Sequence, residues 1–513
     1  MLKSALACLV KRCARPALRF KAAPVESLCR HRQPYSTPST DDSATRIRRI
    51  DSTEPRKKSS NYSAKPVEIP IAGRSHVFAG SYLRDLCKCQ NCRDASTRQK
   101  LQLTTNIEYD ASAASVNVNG DAVSIVWNVK PTGAGLHVTE LSIKELAHLA
   151  GLSNDGPMPK LPPRRLWLDE DFQSETEDIS FEAYMQDDSI LLKSLRQLQT
   201  HGLVFLTKVP DSSESVSQIA ERIGPLKNTF YGMTWDVRSV QGAKNVAYTA
   251  QDLGFHMDLL YMKQPPHLQF LHCIRSSAQG GASLFSDTYR VLHDLYTNKP
   301  GYFQTLSSIQ VPYHYDHADA KPRGHYYHHT HPVVSLEPLR FVDPSEPSSA
   351  VRFPDMQQFA HAAGRPKTAW VREEFNANLP SYIKSVAWSP PFQAPFATTA
   401  FSHVHPDTVQ ALEQGFGAWR RAARAFDAVL HQEKGIHERM MKPGECVLFD
   451  NTRIVHARKA FVPGDEGSER WLRGAYVDRD PYESRLKVLL KKEMEETRSM
   501  DELGAPHWMP DAL

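Results

Sequence analysis

Hydrophobic and polar positions alternate in short runs near the start of the ordered chain. VEIPIAG, SVNVNG and AVSIVW show the period of two expected of strands with one buried face. Gly120–Asp121 separates the last two runs and predicts a hairpin turn. Ser142–Leu149 has helical spacing, and the Pro-rich SNDGPMPKLPPRRL (Ser153–Leu166) predicts a linker. Beyond Trp167 the pattern changes. SILLKSLRQLQTHG predicts an amphipathic helix feeding a buried strand, LVFLTKVP. Further strands are predicted at Leu268–Ile274, Ala282–Phe285, Glu445–Phe449 and Leu472–Val477, and helices in TYRVLHDLY and QALEQGFGAWRRAARAFDAVL. Short strands, irregular connections and few helices predict a mainly β fold with flanking helices, not an alternating doubly wound sheet. There is no internal repeat, no GxGxxG after a strand and no GxxxxGK[ST] loop, so dinucleotide and P-loop chemistry have no foothold.

Composition is that of an ordinary soluble protein: 513 residues, 41% hydrophobic and 23% charged. No run of 18 apolar residues predicts a membrane span. The formal charge of +4 is unevenly spread: residues 1–40 alone hold eight Lys/Arg and one acid, Glu26. The rest is mildly acidic, which argues against nucleic-acid binding. Residues 1–40 are Arg-rich, end in Ser, Thr and Pro, and place Leu2, Leu9, Val10, Leu18 and Phe20 opposite Lys11, Arg12, Arg15 and Arg19. That pattern predicts a mitochondrial transit peptide and a matrix location. Residues 41–66 are polar and read as a disordered linker.

Of eight cysteines, Cys8, Cys13 and Cys29 would leave with the leader, and Cys273 and Cys446 sit in apolar strand-like runs. Only Cys87, Cys89 and Cys92 cluster, and in a reducing matrix metal binding is a better use of them than disulfides. Closed tetrahedral zinc needs a fourth N or S donor. His137, in GLHVTEL, is the next donor in the same segment, and a Cys3His staple suits a domain with a modest core. A second constellation is His256-x-Asp258, with His456 two hundred residues later in FDNTRIVHAR. Two imidazoles and a carboxylate on one face of Fe(II) leave three positions open for a bidentate oxoacid and dioxygen. Arg470 follows His456 by 14 positions, and a guanidinium on the neighbouring strand could pair with a dicarboxylate; Arg458 and Arg473 are alternatives.

These constellations, with LRDLCKCQNC, TFYGMTWDV, NVAYT, FHMDLLYMKQPP, QFLHC and RGAYVDRD, resemble the gamma-butyrobetaine dioxygenase and trimethyllysine dioxygenase family of Fe(II)/2-oxoglutarate oxygenases, from about Ser81 to Leu490. The resemblance implies a zinc-binding, β-rich N-terminal domain over 67–152, the Pro-rich linker over 153–166, a double-stranded β-helix (jelly-roll) dioxygenase domain over 167–500 and a tail over 501–513. It implies Cys87, Cys89, Cys92 and His137 as zinc ligands, His256, Asp258 and His456 as iron ligands, and Arg470 as the 2-oxoglutarate anchor. The family's substrates carry a trimethylammonium group, which has no proton to donate and is held by aromatic faces. Tyr231, Trp235, Tyr248 and Tyr476 match the cage, and Asn245 matches a partner of the substrate carboxylate.

One departure concerns a second Asn. The stretch VAWSPPFQAPF carries Trp388 and Ser389 where the family has Phe-Asn-Asn, and Asn376 or Asn378 in EEFNANLP fits less well. The insertion YHYDHADAKPRGHYYHHTHP, with His314, His317, His325, His328, His329 and His331, reads as a His-rich surface or lid loop, with a second metal site as the alternative. The expected function is hydroxylation of gamma-butyrobetaine to carnitine by O2, with Fe(II), 2-oxoglutarate and ascorbate as reductant. Trimethyllysine is the alternative substrate, and a non-catalytic binding protein on the same fold is the alternative class. A small-molecule substrate is expected, without nucleic acid or membrane, and a homodimer stays open.

Overall fold

The computed structural model describes residues 66–108, 111–128, 137–149, 159–238, 250–277, 279–321, 323–337, 341–343, 346–351, 379–380, 382–396, 409–462 and 470–504. The predicted leader and residues 41–65 of the predicted linker lie outside them. The chain forms two compact units: a smaller one through Asn117 together with Ser124–Glu140, and a larger one holding residues 118–123 and everything from Leu141.

In the N-terminal region, Val67–Ile71 and Arg74–Phe78 form an antiparallel hairpin, turning through Ala72 and Gly73 at positive φ. A three-stranded sheet follows in the order Ala113–Asn119, Ala122–Trp127, Val138–Ser142. Gly120 turns the first pair at φ +57°, a conformation glycine adopts without steric cost. Val123, Ile125 and Trp127 alternate inward and are fully buried.

Two sheets lie at the centre of the larger unit. The first has six strands in the order Ile179–Ser180, Leu203–Thr207, Glu445–Asp450, Leu268–Arg275, Trp471–Val477, Thr234–Arg238. The second has four: Ile436–Arg439, Ser283–Asp287, Ile454–Arg458, Leu253–His256. Neighbours far apart in sequence pair antiparallel, as Leu268–Arg275 does with both Glu445–Asp450 and Trp471–Val477. The sheets meet through rings: Phe285 of the second lies 5.8 Å from Phe205 and 5.7 Å from Phe449 of the first, centroid to centroid.

Strand alternation puts Phe205, Leu271, Phe449 and Leu472 between the sheets. Val204, Leu206, Phe270 and Leu448 face the other way, into a second core with Leu191, Leu195 and Leu198 of the helix Asp188–His201 and Leu486, Leu489 and Leu490 of the helix Arg479–Gly504. Asp187 caps the first of these helices, its carboxylate accepting from Ser189 N at 2.7 Å. Gly202 ends it at φ +78°, and a Cβ there would sit 3.0 Å from Ile454.

The fold is mixed α/β rather than mainly β. The 22-residue helix Val409–Leu430 stands where QALEQGFGAWRRAARAFDAVL predicts one, and the 26-residue helix Arg479–Gly504, which no pattern predicted, accounts for much of the difference. The second is hard to read because Tyr482, Leu486, Leu489 and Leu490 are its buried apolar positions within a densely charged stretch. It also runs into the predicted tail, of which residues 505–513 lie outside the described residues. Residues 159–166, from the predicted linker, form no helix or strand but are tied down: Arg164 Nη1 donates to Ile383 O at 2.8 Å, and Arg165 N to Thr200 O at 2.8 Å. The His-rich insertion is a paired hairpin, Gln310–His317 against His325–Pro332, with Gln310 opposite Pro332 and His317 opposite His325, rather than a loop. Among the described residues it gathers no three metal-ligating atoms.

Candidate active site

His256 and His456 stand directly opposite one another in the antiparallel pair Leu253–His256 and Ile454–Arg458, with ring centroids 4.1 Å apart. Asp258 follows in the turn that ends the first strand. That turn is held by Asn451: its Oδ1 accepts from Asp258 N at 2.9 Å, and its Nδ2 donates to Asp258 O at 3.0 Å and Pro266 O at 3.2 Å. Leu259 sits at φ +60°, a strained conformation for a non-glycine residue that the surrounding bonds must hold. One potential ligand atom from each of His256, Asp258 and His456 lies within 4.8 Å of the others.

The donor set fits a divalent metal. His256 Nδ1 lies 2.9 Å from Gly254 O, which can only accept, so Nδ1 is the donor there and Nε2 is the nitrogen turned to Asp258 Oδ1, 3.5 Å away. Burial, reinforced by His256, pulls the His456 pKa down to about 3, which favours the neutral imidazole. Burial alone would raise the Asp258 carboxyl. The His256 side-chain contact, the nearby His456 ring and a hydrogen bond from Tyr476 outweigh it and hold the group below the usual carboxylate range.

The three residues open on a cavity with two chemically distinct ends. Arg458 and Arg470 line one end. Arg470 is buried, and no described carboxylate pairs with it; burial and the neighbouring Arg458 lower its pKa to about 10. Arg458 is buried too, and its Nη2 donates to Gln251 O at 2.7 Å. Two guanidiniums here favour an anion. Sequence reasoning put Arg470 on the strand next to His456. Instead it precedes Trp471–Val477, in the sheet opposite Ile454–Arg458. Strand parity also decides Arg473: Arg470, Leu472 and Tyr476 line the cavity, while Arg473 turns away to Asp236 Oδ1 at 2.8 Å and Ser213 O at 2.9 Å.

Tyr231, Trp235, Tyr261, Phe392 and Tyr476 supply the other, aromatic end. Trp235 stacks on Tyr476 with centroids 3.9 Å apart and planes 20° from parallel. Gly474 makes room for it, because a Cβ there would lie 2.4 Å from the indole. Phe230 packs behind, 4.9 Å from both Tyr315 and Tyr327 of the His-rich hairpin. Asn245, Tyr248, Asn376 and Asn378 lie outside the described residues. Trp388 is not in the cavity wall; its ring packs on Phe426 at 4.8 Å, and its carbonyl accepts from Met257 N at 2.8 Å.

Sequence reasoning missed Tyr261, Gln269, Phe392 and Asn451. Period-two spacing from Leu271 could have placed Gln269 on the inner face. Phe392 comes from a short 3-10 turn, Pro390–Phe392, whose pattern points to no face.

In the smaller unit, Cys87, Cys89, Cys92 and His137 also bring their ligand atoms within 4.8 Å of one another. His137 Nε2 lies 3.2 Å from Cys87 Sγ, 4.0 Å from Cys89 Sγ and 3.7 Å from Cys92 Sγ. A backbone turn, with Cys92 N and Arg93 N both donating to Cys89 O at 2.9 Å, wraps the thiols, and the Trp127 N to His137 O bond delivers the imidazole.

Two family models match the chain: gamma-butyrobetaine hydroxylase-like, N-terminal, over residues 63–134, and taurine catabolism dioxygenase TauD, TfdA family, over residues 164–476. Among curated relatives, dioxygenase str8 of Strobilurus tenacellus is 29% identical over 85% of this chain and 90% of its own. Gamma-butyrobetaine dioxygenase of Pseudomonas sp. (strain AK-1) is 27% identical over 81% of this chain and 91% of its own. Mitochondrial trimethyllysine dioxygenase of Mus musculus is 23% identical over 81% and 83% respectively. With the second family model spanning more than half of the chain and its cavity built as described, the protein belongs to the taurine catabolism dioxygenase TauD, TfdA family and is a 2-oxoglutarate-dependent dioxygenase.

Proposed function

We propose that the protein hydroxylates a trimethylammonium amino acid, with gamma-butyrobetaine, giving carnitine, as first choice. The observation that carries this is the cavity itself: one metal-ligating face between a guanidinium end and an aromatic end. His256, Asp258 and His456 would hold Fe(II). When bound there with 2-oxoglutarate, iron supplies oxidative decarboxylation by O2, one oxygen entering succinate and the other the substrate hydroxyl, with CO2 released.

The chain's own residues orient and select. Arg470, with Arg458 beside it, neutralises the far carboxylate of 2-oxoglutarate. Trp235, Tyr231 and Tyr476 present ring faces to the cation, with Tyr248 and Asn245 proposed beside them. Leu253, Leu259, Leu271 and Leu472 keep the wall apolar and limit water. The names of the Pseudomonas and mouse relatives support a trimethylammonium substrate. Asp258 is the one acid among the described cavity residues, and it faces the metal position. The α-ammonium of trimethyllysine therefore finds no acidic partner among the described cavity residues, which favours gamma-butyrobetaine.

Cys87, Cys89, Cys92 and His137 are proposed to hold structural Zn(II), since four N/S donors leave no open position. A mitochondrial matrix location is proposed from the N-terminal charge pattern, and ascorbate as the external reductant. No described helix is long and apolar enough to cross a membrane. Purified protein supplied with Fe(II), ascorbate and 2-oxoglutarate tests the reading: succinate release should depend on gamma-butyrobetaine. Release dependent only on a substrate without the trimethylammonium group would overturn it.

A further inference from the structure

Asp258 is not simply one of three ligating groups; one of its two oxygens is already taken. Tyr476 Oη donates to Asp258 Oδ2 at 2.7 Å, and Gln269 Nε2 donates to the same oxygen at 2.7 Å. An ionised carboxylate only accepts, so the Gln269 amide must present its NH2 to Asp258, and its Oε1 is left buried without a partner. Sequence distance does not separate the two donors in space. Gln269 and Tyr476 are direct cross-strand partners on adjacent strands of the six-stranded sheet, and both are buried. The remaining oxygen, Oδ1, is the one turned toward His256 Nε2.

We propose that Gln269 and Tyr476 are positioning residues that occupy Asp258 Oδ2 and so make Asp258 a one-oxygen ligand. A carboxylate can hold a metal through one oxygen or two. A two-oxygen grip would cut the three positions that two imidazoles and a monodentate carboxylate leave open to two, and the bidentate co-substrate needs both, so none would remain for dioxygen. The clamp therefore protects the dioxygen position beside 2-oxoglutarate rather than strengthening metal binding as such. Trp235, stacked on Tyr476, keeps the phenol in place, and Gly474 gives Trp235 its space. This inference rests on the iron reading above.

The test separates metal and co-substrate affinity from dioxygen access. Fe(II) binding to full-length apo-protein is measured anaerobically by calorimetry. Binding of 2-oxoglutarate to the Fe(II)-saturated protein is then followed through its visible charge-transfer band, and the decay of that band is timed after mixing with O2. The variants are Tyr476→Phe, which keeps the ring, Gln269→Leu, and the two combined. The clamp predicts that the band of the double variant decays at least about tenfold more slowly on mixing with O2, with 2-oxoglutarate affinity within about threefold of wild type. Fe(II) affinity that falls tenfold or more, with the saturated complex decaying at the wild-type rate, would overturn it, because the two residues would then only orient the ligand. Wild-type protein that binds no Fe(II), or binds it as well after His256→Ala, would instead overturn the iron assignment on which the proposal stands. A double variant with unaltered Fe(II) affinity and an unaltered decay rate also removes the clamp.

Discussion

Arg458 and Arg470 reach one cavity from opposite sheets, and both pass close to the Phe461 ring, at 4.9 Å and 5.7 Å from its centroid. Burial first, and the neighbouring Arg458 second, disfavour the Arg470 charge and lower its pKa to about 10, a cost that an arriving anion offsets. Arg470→Ala should raise the apparent Michaelis constant for 2-oxoglutarate about 10- to 100-fold, the loss of a charge-assisted pair worth roughly 1.5–3 kcal/mol. Arg470→Lys should recover only part, since a point charge cannot make the bidentate pair. Arg473→Ala, whose side chain points away, should leave that constant within about twofold. Steady-state kinetics on the three variants checks the assignment, and a larger effect at Arg473 than at Arg470 would reverse it.

That pair also shows how much was legible in the sequence. Spacing from His456 singled out Arg470, yet placed it on the adjacent strand, because sequence distance does not say to which sheet a strand returns. The grouping of His256, Asp258 and His456 was legible because a long β-rich segment separates the H-x-D from the distal His and an Arg follows that His at short range. Asn451 was not, although it sits in the same FDN motif: its function is to bond the backbone of a turn almost two hundred residues away, and no local pattern encodes that. Of the two long helices, Val409–Leu430 was legible from the helical spacing of Gln410–Leu430, and Arg479–Gly504 was not, because its apolar positions are sparse among charged residues and tertiary packing stabilises it more than propensity does.

Trp235 and Gly474 offer a test of the aromatic end that leaves the three metal-ligating side chains and Arg470 unaltered. A methyl group at position 474 would meet the indole at 2.4 Å, so Gly474→Ala must displace Trp235 or the strand. Overpacking of this kind costs about 1–3 kcal/mol. The variant should melt at lower temperature and bind trimethylammonium substrate at least several-fold more weakly, with less change for 2-oxoglutarate. Equal weakening of both would count against a substrate role for Trp235.

Zinc should behave as part of the fold. A Cys3His site contributes folding free energy directly, and removal of one thiolate opens it. Cys89→Ser should lower zinc to well under one equivalent by elemental analysis and reduce the melting temperature. A zinc-free wild-type protein with the same melting temperature as the variant would remove the assignment.

His272 sets part of the acid sensitivity. It is fully buried, neither ring nitrogen is hydrogen-bonded, and burial lowers its pKa to about 4, with Asp211 opposing weakly. The unfolded chain takes up this proton near pH ~6.5. The stability that His272 contributes by staying neutral is intact above about 6.5 and is lost as pH falls toward about 4. At pH ~5 the loss is on the order of 2 kcal/mol, at about 1.4 kcal/mol per pH unit. His272→Leu should therefore lose less stability than wild type between pH ~7 and ~5 in denaturant titrations. Identical slopes would show that another group carries the transition.

The central claim is that this cavity couples 2-oxoglutarate turnover to a trimethylammonium substrate. Its most direct measurement is succinate formed, matched to hydroxylated product by mass spectrometry, with gamma-butyrobetaine, trimethyllysine and 4-aminobutyrate offered in parallel to wild type and Asp258→Ala. The account predicts product and succinate in equal amounts with gamma-butyrobetaine, at least about tenfold preference over 4-aminobutyrate, the factor that ~1.4 kcal/mol gives, and none with the variant. Preference for the primary amine, or full substrate-dependent turnover by Asp258→Ala, would contradict it.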